Sequence, residues 1–341
     1  MRSGRLAIAC GGPIAGLLCG VMAIQAAATP ASTPALTAPT RTFHFTYTTA
    51  ITDLPTQAKQ VRIWVPLATD HENQRVLSRQ VTADHPYRLA RETAFGNEIL
   101  YMELAQPIPA RVTITVDYDA AVQGGSPQGA EPSPALSSQE RAFWLRNEPL
   151  MSIDETVTKL AREATAGTTD EMTKTRAIYD YVVAHMTYDK TAPGWGRGDT
   201  ARACLIGKGN CTDFHSLFIS MARAVGIPAR FVIGAPIPAE STGEIPGYHC
   251  WAECFIAGRG WMPVDASEAW KHPERRDYYF GTPDPNKFLI SMGRNLELVP
   301  AQAAAAVNLF VYPYVEVDDT PFQAIATRFQ FQDRQPEEAR I

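Results

Sequence analysis

Between Thr42 and Val122 the chain carries strand signals and little helix. The stretches "RTFHFTYTTAI", "QVRIWVPLA", "NEILYMELA" and "RVTITVDYDAAV" follow one another, and the second and fourth alternate apolar with polar residues. Successive side chains of a strand point to opposite faces, so this alternation marks sheets with one face buried. Residues 42–122 are therefore expected to form a small all-β domain, sandwich-like in type. The stretch "QGGSPQGAEPSPALSS" at 123–138 has linker composition and places a domain boundary there.

Beyond it the periodicity changes to helical. Ser152 with Glu155, and Thr168 with Glu171, are spaced as capping boxes before "TVTKLAREA" and "MTKTRAIYDYVVAHM". A glycine-rich loop, "PGWGRGDTA", leads to a further helix, and short strands follow: "ARFVIGAPI", "YHCWAECFI", "GWMPVDA", "KFLISM", "LELVP" and "LFVYPYVEV". Helices first and sheet after predict an α+β second domain over residues 139–335.

Arg2 and Arg5, an apolar run from Leu6 to Ile24, and small residues ending at Ala28 read as a cleaved export signal over residues 1–28. The protein is thus expected to be exported, periplasmic or secreted, with no stable membrane span after cleavage. Its net charge of −5 becomes more negative without the two arginines, so no nucleic acid or anionic surface is indicated as a partner. Removing Cys10 and Cys19 with the signal leaves Cys204, Cys211, Cys250 and Cys254. Outside the cytoplasm these suggest disulfides. Cys250 and Cys254, however, would lie about 13 Å apart along a strand, too far to bridge. A Cys204–Cys211 bridge is geometrically open.

The stretch "GKGNCTDFHSLFISMARAVGIP" gives Cys211 a different meaning. Asn210 is placed as N-cap with Asp213 completing a capping box, which makes Cys211 the first helical residue. Phe214, Leu217, Phe218, Met221 and Val225 recur at helical spacing, and Gly226 and Pro228 end the helix. Free N–H groups and the positive end of the helix dipole favour an anion at this end, so the thiol should ionise readily. The bland alternative is a small buried hydrophobe.

A cysteine nucleophile needs a histidine, and a third group to orient it. His215 is four residues along the same helix and reads as a buried supporting residue. His249 lies on a strand facing opposite to Cys250, together with Trp251 and Glu253. Asp265 follows sixteen residues after it, behind a turn centred near Ala257. A hairpin of that register makes His249 and Asp265 cross-strand neighbours on one face.

The pattern G-x-G-x-C-x-D at a helix start, then H-x-W, then G-W-x-x-x-D, resembles the transglutaminase-like superfamily over roughly Ser152 to Trp270. The resemblance implies a papain-like core behind an N-terminal β-domain, with Cys211, His249 and Asp265 catalytic. It implies a thioester intermediate formed on a protein or peptide amide and resolved by water, as in a peptidase or amidase, or by an amine, as in a crosslinking transglutaminase. It also implies an upstream Trp or Tyr as second oxyanion donor, for which Trp195 and Tyr188 are candidates. Asn210, Asp213, His215 and Trp251 are expected around the triad, with Glu253 a solvated or supporting strand residue.

Two other classes fit these residues less well. A zinc hydrolase could draw on Cys211, His215, His249 and Cys250, but no C-x-x-C or H-E-x-x-H spacing occurs. A non-catalytic envelope-binding module would not need all three triad residue types. No cofactor and no obligatory metal are expected.

Overall fold

The computed structural model describes residues 40–125 and 133–334, so the export-signal reading of residues 1–28 lies outside the described residues. The strands of the first part are β1 (Thr40–Ile51), β2 (Gln60–Leu67), β3 (Gln74–Ala83), β4 (Arg88–Arg91), β5 (Glu98–Ala105) and β6 (Val112–Gln123). Then come α1 (Ser138–Trp144), α2 (Glu155–Ala164), α3 (Glu171–His185), β7 (Thr187–Tyr188), α4 (Thr200–Ile206), β8 (Lys208–Gly209) and α5 (Cys211–Ala224). The chain continues through β9 (Ala229–Pro236), β10 (Thr242–Ile245), β11 (His249–Ile256), β12 (Gly260–Val264), α6 (Ala266–Lys271) and β13 (Lys287–Met292). It ends with β14 (Tyr314–Val317), β15 (Thr320–Pro321) and β16 (Ile325–Asp333). The fold is α+β and mostly strand.

Two five-stranded sheets, ordered β10-β16-β1-β6-β3 and β15-β14-β2-β5-β4, turn alternate apolar side chains toward each other. Phe43, Phe45 and Tyr47 of β1, Val61, Ile63 and Val65 of β2, and Ile114 and Val116 of β6 share one buried core. This is the sandwich that alternation predicts. Its membership is wider than the sequence reading: β3, β4, β10, β14, β15 and β16 add to it. The late strands β14 and β16, within the range 139–335, pair with β2 and β1 respectively. The alternation in "IATRFQFQD" is the signal for β16, and a sheet accepts any strand whose apolar face matches, however distant in sequence.

The third sheet, β12-β11-β9-β13, carries α5 on one face. α5 contacts α2, α3, α4 and α6 as well as β9 and β11, and its residues from Cys211 to Arg223 are buried on all sides rather than along one stripe. The outer edge of β13 meets the sandwich. Gln74 of β3 accepts the Leu289 N–H (2.7 Å) and donates to the Leu289 carbonyl (2.9 Å), while Asn97 does the same for Met292 at 2.7 and 2.8 Å. Phe288 inserts its ring among Phe43, Phe45 and Tyr118. An edge strand's unpaired backbone groups are thereby satisfied by side chains of the other layer.

Several local expectations change. The caps of α2 and α3 are Asp154 and Asp170, not Ser152 and Thr168: each carboxylate stands directly before its helix and accepts an N–H of the first turn, from Val157 (2.8 Å) and Thr173 (3.0 Å). A charged acceptor is favoured at that end of the dipole. α1, capped by Ser137 with Glu140, begins inside the stretch read as linker. The segment "LELVP" contributes an isolated bridge between Leu296 and Val307 rather than a strand. Cys204, Cys211, Cys250 and Cys254 are all free thiols.

Candidate active site

Cys211 begins α5 as the spacing predicts. Asn210 Oδ1 accepts the Thr212 N–H (2.9 Å) and Asp213 Oδ2 accepts the Asn210 N–H (3.0 Å). Asp213 does more than cap. Its carboxylate, fully buried, also takes the N–H groups of Gly196 (2.7 Å) and Gly198 (3.1 Å) and lies 3.7 Å from Arg202. The glycine-rich loop is thus tied to the helix start. A Cβ on Gly198, which has φ +66°, would fall 2.6 Å from Thr212 Cγ2, so only glycine lets the loop approach this closely. Arg294, which the sequence reading did not single out, holds the loop from behind through the carbonyls of Gly198 (2.7 Å) and Arg197 (2.6 Å).

The register of the β11–β12 hairpin pairs Ala252 with Val264 and Ile256 with Gly260, so it is centred on Gly258, one residue later than expected. Asp265 follows the end of β12 and lies opposite the Trp251 level, a diagonal neighbour of His249. The two residues still share a face, because moving the centre by one residue shifts each pairing by two positions and keeps the parity of the pleat. No bulge is needed.

His249 Nε2 and Asp265 Oδ2 are 2.6 Å apart. Asp265 is at the same time the N-cap of α6: its Oδ1 accepts the Glu268 N–H (2.9 Å) and the Ser267 hydroxyl (3.0 Å). Lys287 Nζ donates to Oδ2 at 2.5 Å. Trp251 stacks on the His249 ring, centroids 6.2 Å apart at 20°. His215, fully buried, accepts the Ala266 N–H at Nε2 (3.1 Å), stands 3.4 Å from Asp265 Oδ1, and puts Nδ1 3.9 Å from Cys250 Sγ. It therefore fixes the first residue of α6, the helix that Asp265 caps, and stands beside Cys250 inside the core.

The charges follow from these contacts. Burial works against ionisation of Asp265, but the Lys287 and His249 cations and the hydrogen bond from His249 hold its carboxyl well below the usual range. Burial lowers His249, yet the Asp265 carboxylate and Cys211 raise it to about 10. A hydrogen bond from Cys250, opposed by burial and reinforced by His249 and His215, pulls the Cys211 thiol well below its ordinary value. The two shifts run in opposite directions and together favour a thiolate beside an imidazolium. With Nε2 committed to Asp265, Nδ1 is the nitrogen left to face the sulfur.

Tyr188 lies close enough that, after burial, the charge of Cys211 pushes its phenol up; its ring stacks on Trp270 at 6.4 Å and lies 6.2 Å from Phe214. Trp195 is 40% exposed on the glycine-rich loop. Glu253 is not solvated: it is 4% exposed and pairs with Arg230 (2.6 Å) and His71 (3.0 Å). Among the described residues, the donor atoms close enough to share an ion are those of His71, Glu72 and Glu253, not the Cys211, His215, His249 and Cys250 set. The Arg230 guanidinium already stands among them at 2.6–3.1 Å, occupying the place a cation would take. No helix of the described residues is long and apolar enough to cross a membrane.

Residues 158–266 match the family model described as the transglutaminase-like superfamily core. The chain is 28% identical over 305 residues to an uncharacterized protein of Haemophilus influenzae, covering 78% of this chain and 83% of that one. Among solved structures it is similar to one described as "a Putative Cysteine Protease" from Cytophaga hutchinsonii, with a TM-score of 0.58 and 15% identity over 87% of this chain and 99% of that one. The segment similar to that family model contains Cys211, His249 and Asp265, and the likeness to the solved structure is one of α+β fold.

Proposed function

We propose that Cys211 attacks the carbonyl carbon of a protein or peptide amide, and that water resolves the resulting thioester, as in a transglutaminase-like peptidase or amidase. The reading is carried by one observation: a thiol at a helix start, drawn toward its anion beside an imidazole that a buried carboxylate orients at 2.6 Å. His249 gives its proton to the leaving amine, then takes one from the incoming water. Asp265 keeps the ring in one orientation and stabilises its charge. The Cys211 N–H at the head of α5 donates to the developing oxyanion. An amine in place of water would make the same intermediate a crosslink. The export signal read at residues 1–28 would put this chemistry in the periplasm or outside the cell.

The test is the pH dependence of Cys211 alkylation in the purified protein, followed by peptide mass spectrometry and compared with His249→Ala. Rapid labelling well below the free-thiol pKa of about 8.5, lost in the variant, is expected. Slow labelling that the variant leaves unchanged would overturn the reading in favour of a binding module.

A further inference from the structure

We propose that Tyr248 is a further catalytic residue of this acyl transfer, its phenolic O–H donating to the substrate carbonyl oxygen as that oxygen becomes negative. The inference rests on Cys211 being the attacking group.

Tyr248 immediately precedes β11, and its hydroxyl reaches across to the start of α5. There it lies 3.2 Å from Asn210 Nδ2 and 3.2 Å from Thr212 Oγ1, the residues on either side of Cys211 in the chain. The directions of these bonds are constrained. Asn210 Oδ1 is taken by the Thr212 N–H, so the amide is oriented with Nδ2 toward Tyr248 and donates to it. Thr212 Oγ1 lies 3.7 Å from Cys250 Sγ. Burial and the neighbouring charge of Cys211 push the Cys250 thiol up, so it keeps its proton and can donate. Cys250 has one S–H for two neighbours, Cys211 and Thr212. As the sulfur's charge is consumed in the attack, Thr212 becomes the better acceptor, and the threonine's own proton is free for Tyr248. A hydroxyl that accepts on both these sides has its O–H left for a bound molecule.

The other donor is the backbone. The N–H groups of Asn210, Thr212, Asp213 and Phe214 each have an acceptor, whereas that of Cys211 has none among the described residues. A phenol held against Asn210 and Thr212 and the backbone N–H between those two residues therefore lie at the end of the helix that carries the sulfur. The Tyr248 phenol stays protonated across the working range, because burial and the Cys211 charge push it far up. When the S–C bond forms, the carbonyl π pair moves onto oxygen and the two donors receive it. When the C–N bond breaks, that pair re-forms the carbonyl, and the amine leaves with the His249 proton.

Two reactions of Cys211 separate this role from a structural one. Alkylation by iodoacetamide is a displacement at carbon that forms no oxyanion, while acylation by p-nitrophenyl acetate passes through one. In Tyr248→Phe, which keeps the ring against Tyr312, iodoacetamide labelling at pH 6 is expected to stay within about threefold of the parent, and acylation to fall on the order of 10²-fold. A melting temperature matching the parent's establishes that the variant is folded, and Tyr248→Trp, which restores an N–H donor, is expected to recover part of the acylation rate. Equal loss of both reactions, or loss of neither, overturns the proposal while leaving Cys211 as nucleophile. Slow low-pH alkylation in the parent protein overturns the underlying reading instead.

Discussion

Asp265 Oδ2 accepts two hydrogen bonds at once, from His249 Nε2 at 2.6 Å and from Lys287 Nζ at 2.5 Å. The lysine and the imidazolium are like charges sharing one oxygen, so Lys287 opposes protonation of His249 even as it keeps Asp265 ionised. The carboxylate's other oxygen is committed to capping α6. One buried group thus sets the fold of the hairpin exit, the orientation of the histidine and its charge.

Replacing Lys287 with Met should raise the His249 pKa, because a positive neighbour is removed. The alkaline limb of the Cys211 alkylation profile is expected to move up by about half to one pH unit. The same change leaves a buried carboxylate with one partner fewer, costing roughly 1–3 kcal/mol in urea unfolding. An unchanged alkaline limb would mean that the lysine does not tune the pair.

Asp265→Asn should lower the His249 pKa from about 10, since the carboxylate that raises it is gone. Asparagine is itself a good N-cap, so α6 should survive with a cost of less than about 1 kcal/mol from that cause. Acylation by an activated ester is expected to fall by about 10²–10⁴-fold through loss of imidazole orientation. Stopped-flow release of p-nitrophenolate measures it, and a loss below tenfold would remove Asp265 from its assigned role.

Stability against pH carries the signature of the ion pair. The native thiolate and imidazolium together hold the same number of protons as an unfolded thiol and imidazole between about pH 6.5 and 8.5. The pair therefore contributes no slope in that window. Above it the unfolded thiol ionises while His249 stays protonated up to about 10, so stability is lost with rising pH at about 1.4 kcal/mol per unit. Cys211→Ala removes the compensating thiol. Its stability is expected to fall from about pH 6.5 onward, where the parent is flat. Parallel chemical-denaturation curves at several pH values check this, and parallel profiles for the two proteins would contradict a native ion pair.

Asp213 is the join between the glycine-rich loop and α5. Asp213→Ala leaves the N–H groups of Asn210, Gly196 and Gly198 without their acceptor, and a loss of about 3 kcal/mol or more is expected. Asp213→Asn retains one acceptor oxygen and should cost clearly less. Hydrogen exchange at Gly196 and Gly198 is expected to accelerate in the alanine variant before global unfolding. If those amides stay protected, the loop is held by Arg294 alone.

The elements that carry the chemistry were legible because each rests on local signals. Asn210 before Cys211, with Asp213 three residues on from the cap, announces a helix start whatever surrounds it, and the parity of His249 and Asp265 survives a one-residue shift of the turn's centre because each pairing then moves by two. Strand signals, with clear apolar alternation in β2 and β6, likewise marked the sandwich strands β1, β2, β5 and β6. These are consequences of backbone geometry over a few residues, and they determined the α+β class and the thiol, imidazole and carboxylate.

Tertiary structure alone decided what stands around them. Lys287 reaches Asp265 because β13 is a fixed edge strand, held there by Gln74 and Asn97 from a distant part of the chain. Tyr248 meets Asn210 and Thr212 only when the strand end is brought against the helix start. Glu253, which reads as a strand polar residue, is buried because Arg230 and His71 neutralise it. Hydrogen bonds and ion pairs of this kind depend on which surfaces pack together, and packing is a property of the whole core rather than of any short stretch of sequence.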